Sequence, residues 1–241
     1  MNAFIRVKNL VGESAYRKLE NASVAVFGVG GVGGYTAEAL ARSGIGRIAL
    51  FDSDVVDESN INRQIIADYG TLGGDKVAVM KERLLTINTN LIVDCHKVFY
   101  LPENADKFDF SAYDYIVDAV DTVSAKLEII VRANAQKVPV ISCMGTGGKI
   151  QPELLKVATI EKTSGCPLAR VMRRELKARG VNGVKVVYSE EQVVKAENAE
   201  NEQLKKADGK TAPPSMIFVP ATAGLLLARE VVFDIINNGE N

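Results

Sequence analysis

Apolar residues along this 241-residue chain follow two alternating rhythms. Short apolar runs end in glycine or an acid: SVAVFG (23–28), RIALFD (47–52), YDYIVDAVD (113–121) and VPVISCM (138–144). Runs of this kind predict strands buried on both faces. NLIVDCHKV (90–98) alternates apolar and polar and predicts another strand. Between the runs, apolar positions recur at helical spacing. YTAEALARSG (35–44) predicts a helix with Gly44 as its C-terminal cap. GGDKVAVMKERLLTIN (73–88) predicts an amphipathic helix with Val77, Met80, Leu84 and Ile87 on one face, and SAKLEIIVRANAQK (124–137) a third helix. Strands alternating with helices predict an α/β fold: a Rossmann-like, doubly wound, mostly parallel sheet with its ligand at the carboxyl ends of the strands.

The texture changes after Gly147. QPELLKVATIEKT (151–163) predicts a strand or hairpin, CPLARVMRRELKARG (166–180) a basic helix, and VKVVYS (184–189) a short strand. Residues 190–215 are polar and charged and end in two prolines, which predicts a mobile loop. A closing strand and helix follow. MIFVPATAGLLLAREVVFDII (216–236) is interrupted by Arg229, Glu230 and Asp234, so a buried helix using Leu225, Leu226, Ala228, Val232, Ile235 and Ile236 is expected rather than a membrane span. The expected organisation is a single domain over 1–241. Its nucleotide-binding core is 1–150, and 151–241 is a substrate-binding extension whose strands and helices continue the same sheet.

Composition narrows the chemistry. There are 29 Lys and Arg against 30 Asp and Glu, so any nucleic-acid contact has to come from a local patch. Cys95, Cys143 and Cys166 are widely spaced, no CxxC occurs, and His96 is the only histidine; no zinc site is expected. MNAFIRVKNL has no apolar signal core, so a cytoplasmic protein is expected.

Gly28, Gly30 and Gly33 form GxGxxG between a predicted strand and helix, a turn that admits phosphate close to the backbone. Asp52 lies 19 positions after Gly33, where an acid can accept hydrogen bonds from a ribose. These residues do not separate NAD from ATP. DESNINRQ (57–64) does: Asn60, Asn62, Arg63 and Gln64 follow the second strand, and Lys76 opens the next helix. Arg63 and Lys76 can converge on a triphosphate. Asp118 and Asp121, at the end of the predicted third buried strand, can hold Mg2+, a hard cation suited to carboxylate and phosphate oxygens. Asn60 or Asn62 could instead cap the following turn.

The set GxGGxG (28–33, including Gly31), D-x-D (Asp52, Asp54), N-x-N-R-Q (60–64), G-x-x-K (73–76) and D-x-x-D (118–121) resembles the ubiquitin-activating-enzyme-like adenylyltransferases, the family that also serves molybdopterin and thiamine biosynthesis. The resemblance implies ATP and Mg2+, with Asp52 on the ribose, Asn60, Arg63 and Lys76 on phosphates, and Asp121 on the metal. R-x-x-x-L-x-G at Arg6, Leu10 and Gly12 matches a family feature and implies a homodimer in which Arg6 acts in trans. Members that activate small sulfur-carrier proteins carry two CxxC pairs, which are missing here. GTGGKIQP (145–152), 157–181 and FVPATAGLLLAREVV (218–232) resemble the branch that dehydrates threonylcarbamoyladenosine in tRNA. That branch adenylates the threonyl carboxylate, after which the neighbouring carbamoyl group closes a ring and AMP leaves. Activation of a sulfur-carrier C-terminus is the alternative. Ring closure is intramolecular and needs no protein nucleophile, so Cys143 and Cys166 are expected to be incidental thiols, although a strand end and a helix start can lower a thiol pKa. A tRNA partner calls for cations. Arg170, Arg173, Arg174 and Lys177 are expected on one helix side, with Arg179 and Lys185 nearby and Glu175 as the one acid. Lys195, Lys205, Lys206 and Lys210 form a weaker candidate, being mixed with glutamates.

Overall fold

The buried apolar runs become the strands of one sheet. A computed structural model describes residues 3–194 and 213–237. The strands are β1 (Ser23–Phe27), β2 (Arg47–Phe51), β3 (Ile92–His96), β4 (Tyr115–Asp118), β5 (Val140–Cys143), β6 (Leu155–Thr159) and β7 (Lys185–Ser189). Their order is β3-β2-β1-β4-β5-β7-β6. All neighbours are parallel except β6, which runs antiparallel to β7. β7 adds directly to β5, so the C-terminal segment continues the same sheet, as its sequence predicts.

The helices are α1 (Ile5–Val11), α2 (Glu13–Asn21), α3 (Gly33–Ser43), α4 (Lys76–Ile87), α5 (Val123–Ala135), α6 (Pro167–Ala178) and α7 (Phe218–Asn237). On one face of the sheet α3, α4 and α7 enclose a core with Leu40, Met80, Leu84, Leu227 and Val231. On the other, α5 and α6 pack Ile130, Met172 and Leu176 against Val186 and Tyr188. A layer of Phe27, Phe51, Tyr100 and Phe110 fills the space beneath β1 and β2 on the side of α5.

Three features depart from the sequence expectation. Two short helices, Ile5–Val11 and Glu13–Asn21, are not among the expected elements; α1 buries none of its side chains and α2 buries only Tyr16 and Leu19. Among the described residues 213–217, where a closing strand is expected, none forms before α7. The helix begins at Phe218 and tolerates Pro220 in its first turn, where the proline's missing N–H is no loss. Leu227 and Val231 enter the core, whereas Leu225 stands 52 % exposed. Among the described residues no helix is long and apolar enough to cross a membrane. Most of the loop expected at 190–215, including Lys195, Lys205, Lys206 and Lys210, lies outside the described residues.

Candidate functional site

The carboxyl ends of β1, β2, β4 and β5 surround a cavity of about 420 Å³. Its floor is the glycine turn that joins β1 to α3. Gly28 has φ +90°, and a Cβ there would stand 2.7 Å from the Ala119 carbonyl oxygen. At Gly33 a Cβ would lie 1.8 Å from the Gly28 carbonyl oxygen, so the helix can approach the strand only as glycine. Gly33 thus shapes the turn from behind, while Gly28, Gly30 and Gly31 line the cavity.

Asp52, at the end of β2, accepts hydrogen bonds from the backbone N–H of Val29 (2.7 Å) and of Asp54 (2.8 Å). The carboxylate is thereby fixed beside the glycine turn. Burial raises its pKa above the ordinary aspartate value, against the opposing pull of Lys76 and the two N–H groups. Residues 57–64 fold back on themselves. Asp57 and Asn60 close a capping box around the 3-10 turn Glu58–Asn60, and buried Asn60 also lines the cavity. Arg63 reaches the same cavity with its Nη1 donating to Ser59 O (2.7 Å) and Asn62 Oδ1 (2.9 Å). Both acceptors are neutral, and burial lowers the guanidinium pKa. A half-buried arginine with no carboxylate partner among the described residues has donors to offer an anion.

Lys76, at the start of α4, is 6 % exposed at its side chain and pairs with Asp54 at 2.8 Å. Asp121 stands on the facing wall, just beyond β4. Gln64 is buried on the cavity, and its Oε1 has no hydrogen-bond partner among the described residues, as expected of a group that meets a ligand donor. The structure therefore brings together Gly28, Gly30, Gly31, Asp52 and Asp54 with Asn60, Arg63, Gln64, Lys76 and Asp121.

Other expected site residues lie elsewhere. Asp118 is fully buried and does not line the cavity; it pairs with Lys126 at 2.9 Å and accepts from Ser142 Oγ at 2.6 Å. As the last residue of β4 it points into the core, whereas Asp121 has left the strand. Asn62 is exposed and joins Arg63 to the segment above the cavity, donating from Nδ2 to Ser215 O at 2.9 Å. Arg6 is exposed on α1 and is not part of its own chain's cavity. On α6, Arg170, Arg174 and Lys177 are exposed, but Arg173 turns inward and donates to Thr163 O (2.6 Å) and Oγ1 (2.8 Å). Lys185 is no member of that cluster, since it bonds Glu230 and Asp234 on α7, across the sheet from α6. Burial pushes the Cys143 thiol up to about 12, the reverse of an activated strand-end thiol.

Some of the cavity wall carried no sequence signal. Val98, Phe99 and Tyr100 follow β3, and Pro213 and Ser215 close over the top. That closure is held by Gly148 N–H donating to Pro214 O at 2.7 Å and by Asn62.

Comparison with known proteins gives the family of the chain and structures of the same fold. The ThiF family model matches residues 4–241. The chain is 39 % identical to the tRNA threonylcarbamoyladenosine dehydratase of Bacillus subtilis, over 100 % of this chain and 97 % of the relative. It is 38 % identical to the Escherichia coli protein of that name, over 77 % of this chain and 72 % of the relative. The crystal structure of E. coli tRNA N6-threonylcarbamoyladenosine dehydratase, TcdA, in complex with ATP superposes with a TM-score of 0.87 at 32 % identity, covering 99 % of this chain and 95 % of that one.

Proposed function

The chain belongs to the ThiF family, and from that premise we propose that it carries out the ATP-dependent dehydration of threonylcarbamoyladenosine in tRNA, activating the threonyl carboxylate as its adenylate. The observation that carries this is the cavity itself: Arg63, with no carboxylate partner among the described residues, and Lys76 stand with a glycine turn and Asp52 at the ends of parallel strands.

The glycine turn and the amino end of α3 receive phosphate through backbone N–H groups. Asp52 accepts from the ribose hydroxyls. Arg63 turns from its neutral partners and Lys76 from Asp54 to meet the polyphosphate, and both stabilise the charge that grows as pyrophosphate departs. The carboxylate oxygen of the threonyl group forms a bond to the α-phosphorus, and the bond from that phosphorus to pyrophosphate breaks. The neighbouring carbamoyl group then attacks the acyl carbon, a proton is lost, and AMP leaves with the original carboxylate oxygen. The nucleoside loses one water in sum. Orientation supplies the rate of this ring closure, and the Cys143 thiol, whose pKa burial raises, has no part in it.

Magnesium fits as an accessory to the nucleotide. No group of three His, Cys, Asp or Glu side chains able to hold a metal occurs among the described residues, and magnesium typically takes one or two carboxylates together with phosphate oxygens. Asp121 supplies such a carboxylate on the cavity wall, and the ion would neutralise phosphate charge. Arg170, Arg174 and Lys177 are the surface for tRNA phosphates. A homodimer presents Arg6 of each copy to its partner's site. We read the protein as cytoplasmic, the compartment that suits action on tRNA.

The test is incubation with ATP, magnesium and threonylcarbamoylated tRNA, followed by mass spectrometry of the nucleosides. The expected product is lighter by one water, with AMP formed alongside. Arg63→Ala and Lys76→Ala each lose about 2–4 kcal/mol of transition-state stabilisation, as does removal of an oxyanion donor. Near-normal AMP formation in both variants overturns the phosphate assignment. AMP formation that requires a sulfur-carrier protein and ignores tRNA favours the alternative adenylyltransferase.

A further inference from the structure

We infer that Lys126 is a positioning residue for the adenylating site, setting where Asp121 and the loop beginning at Cys143 stand relative to each other. The inference deepens the proposed function and rests on Asp121 serving the magnesium–nucleotide complex.

Lys126 has no exposure and no place on the cavity wall. It lies one turn inside α5, directly beneath the site. An ammonium has three N–H donors, and Lys126 has three acceptors within reach: Asp118 Oδ2 at 2.9 Å, Val120 O at 3.1 Å and Cys143 O at 2.7 Å. The two carbonyls belong to the exits of adjacent strands. Val120 immediately precedes Asp121, and Cys143 opens the segment through Gly147 that forms the facing part of the wall. Both carbonyl oxygens carry negative partial charge, so with no cation between them these exits would separate. Asp118 fixes the cation in turn. Its Oδ2 also accepts from Ser142 Oγ at 2.6 Å, and its Oδ1 accepts from Val120 N–H at 3.3 Å.

A simple stabilising role explains this arrangement poorly. Two charges with no exposure are costly to desolvate, and a well-packed apolar pair of similar volume often serves a core equally well. An apolar pair cannot hold two backbone carbonyls at one point. The ion pair is thus the means of carrying a three-proton donor into the core, and the carbonyls are its working contacts.

The experiment compares the wild type with Asp118→Asn/Lys126→Met, which removes both charges together, and with Asp121→Ala. Calorimetric titration gives the affinity for ATP with and without magnesium, and thermal unfolding confirms a cooperative fold. The expected double variant is folded and binds ATP alone as the wild type does. The gain in affinity that magnesium confers falls roughly tenfold, the scale of one charge-assisted contact, and falls likewise in Asp121→Ala. A folded double variant that keeps the full magnesium gain, while Asp121→Ala loses it, overturns the role of Lys126 and leaves the assignment of Asp121 standing. A gain indifferent to Asp121→Ala overturns both. If the double variant fails to fold, Lys126→Met alone decides: Asp118 keeps its donors from Ser142 and Val120 N–H, the magnesium gain is expected to fall as in the double variant, and a folded Lys126→Met that keeps the full gain contradicts the inference.

Discussion

Asp52 carries the clearest pH signature at the site. Burial raises its pKa in the ATP-free protein, so the folded chain holds this proton more tightly than the unfolded chain does. Through this one group the ATP-free fold gains stability as pH falls, and loses it as pH rises from the ordinary aspartate value of about 3.9 through the raised folded one. ATP has the opposite preference, because the ribose hydroxyls need an ionised acceptor. ATP affinity is therefore expected to weaken on acidification at a pH above the ordinary aspartate range, and Asp52→Asn should abolish that component. A wild-type affinity that follows the same pH curve as Asp52→Asn contradicts the ribose assignment. The neighbouring acids show what residue type alone conceals. Asp118 and Asp121 share one short motif, yet the first is sealed against Lys126 and the second opens on the cavity. A lysine in an amphipathic helix reads as solvated, and nothing in the sequence pairs Lys126 with an acid on the adjacent strand.

At the scale of elements, the apolar runs announced β1, β2, β4 and β5 because these strands are buried on both faces. The same physics hid α1, whose side chains are all at least partly exposed and which has no apolar stripe to read. Helix α6 was legible as a basic amphipathic element but not side chain by side chain. Arg173 belongs to the underside of the helix and ties it to Thr163, leaving Arg170, Arg174 and Lys177 outward. Replacing those three by glutamate is expected to weaken tRNA binding and to flatten its salt dependence, the log–log slope falling by roughly 0.7–0.9 for each phosphate no longer neutralised. Arg173→Ala should instead lower the melting temperature with little change in slope. Salt titration of tRNA binding checks both; an unchanged slope in the triple variant removes α6 from the interface.

The whole molecule places its chemistry where the sheet order reverses direction. β1 lies between β2 and β4, so the chain leaves β1 toward one side and returns on the other, opening a crevice at the strand ends. That much followed from strand–helix alternation and GxGxxG. The top of the cavity did not, because Pro213 and Ser215 arrive from about 150 residues beyond Asn62, a proximity no local pattern encodes. Arg6 belongs to this largest scale. It stands exposed on α1 next to Ile5 and one turn before Leu10, 44 % and 84 % exposed, and such exposed apolar side chains suit the contact with a second copy. Arg6→Ala and Asp121→Ala are each expected to be inactive as pure homodimers. Mixed dimers should regain part of the activity, since one of the two sites then has both groups. No recovery on mixing argues against Arg6 acting in trans.

The central claim is that the threonyl carboxylate is itself adenylated, and isotope transfer addresses it most directly. Threonylcarbamoylated tRNA carrying oxygen-18 in that carboxylate is to be converted with ATP, and the AMP analysed by mass spectrometry. Activation at the carboxylate leaves one labelled oxygen on the phosphorus of AMP. Unlabelled AMP formed alongside dehydrated nucleoside would contradict it.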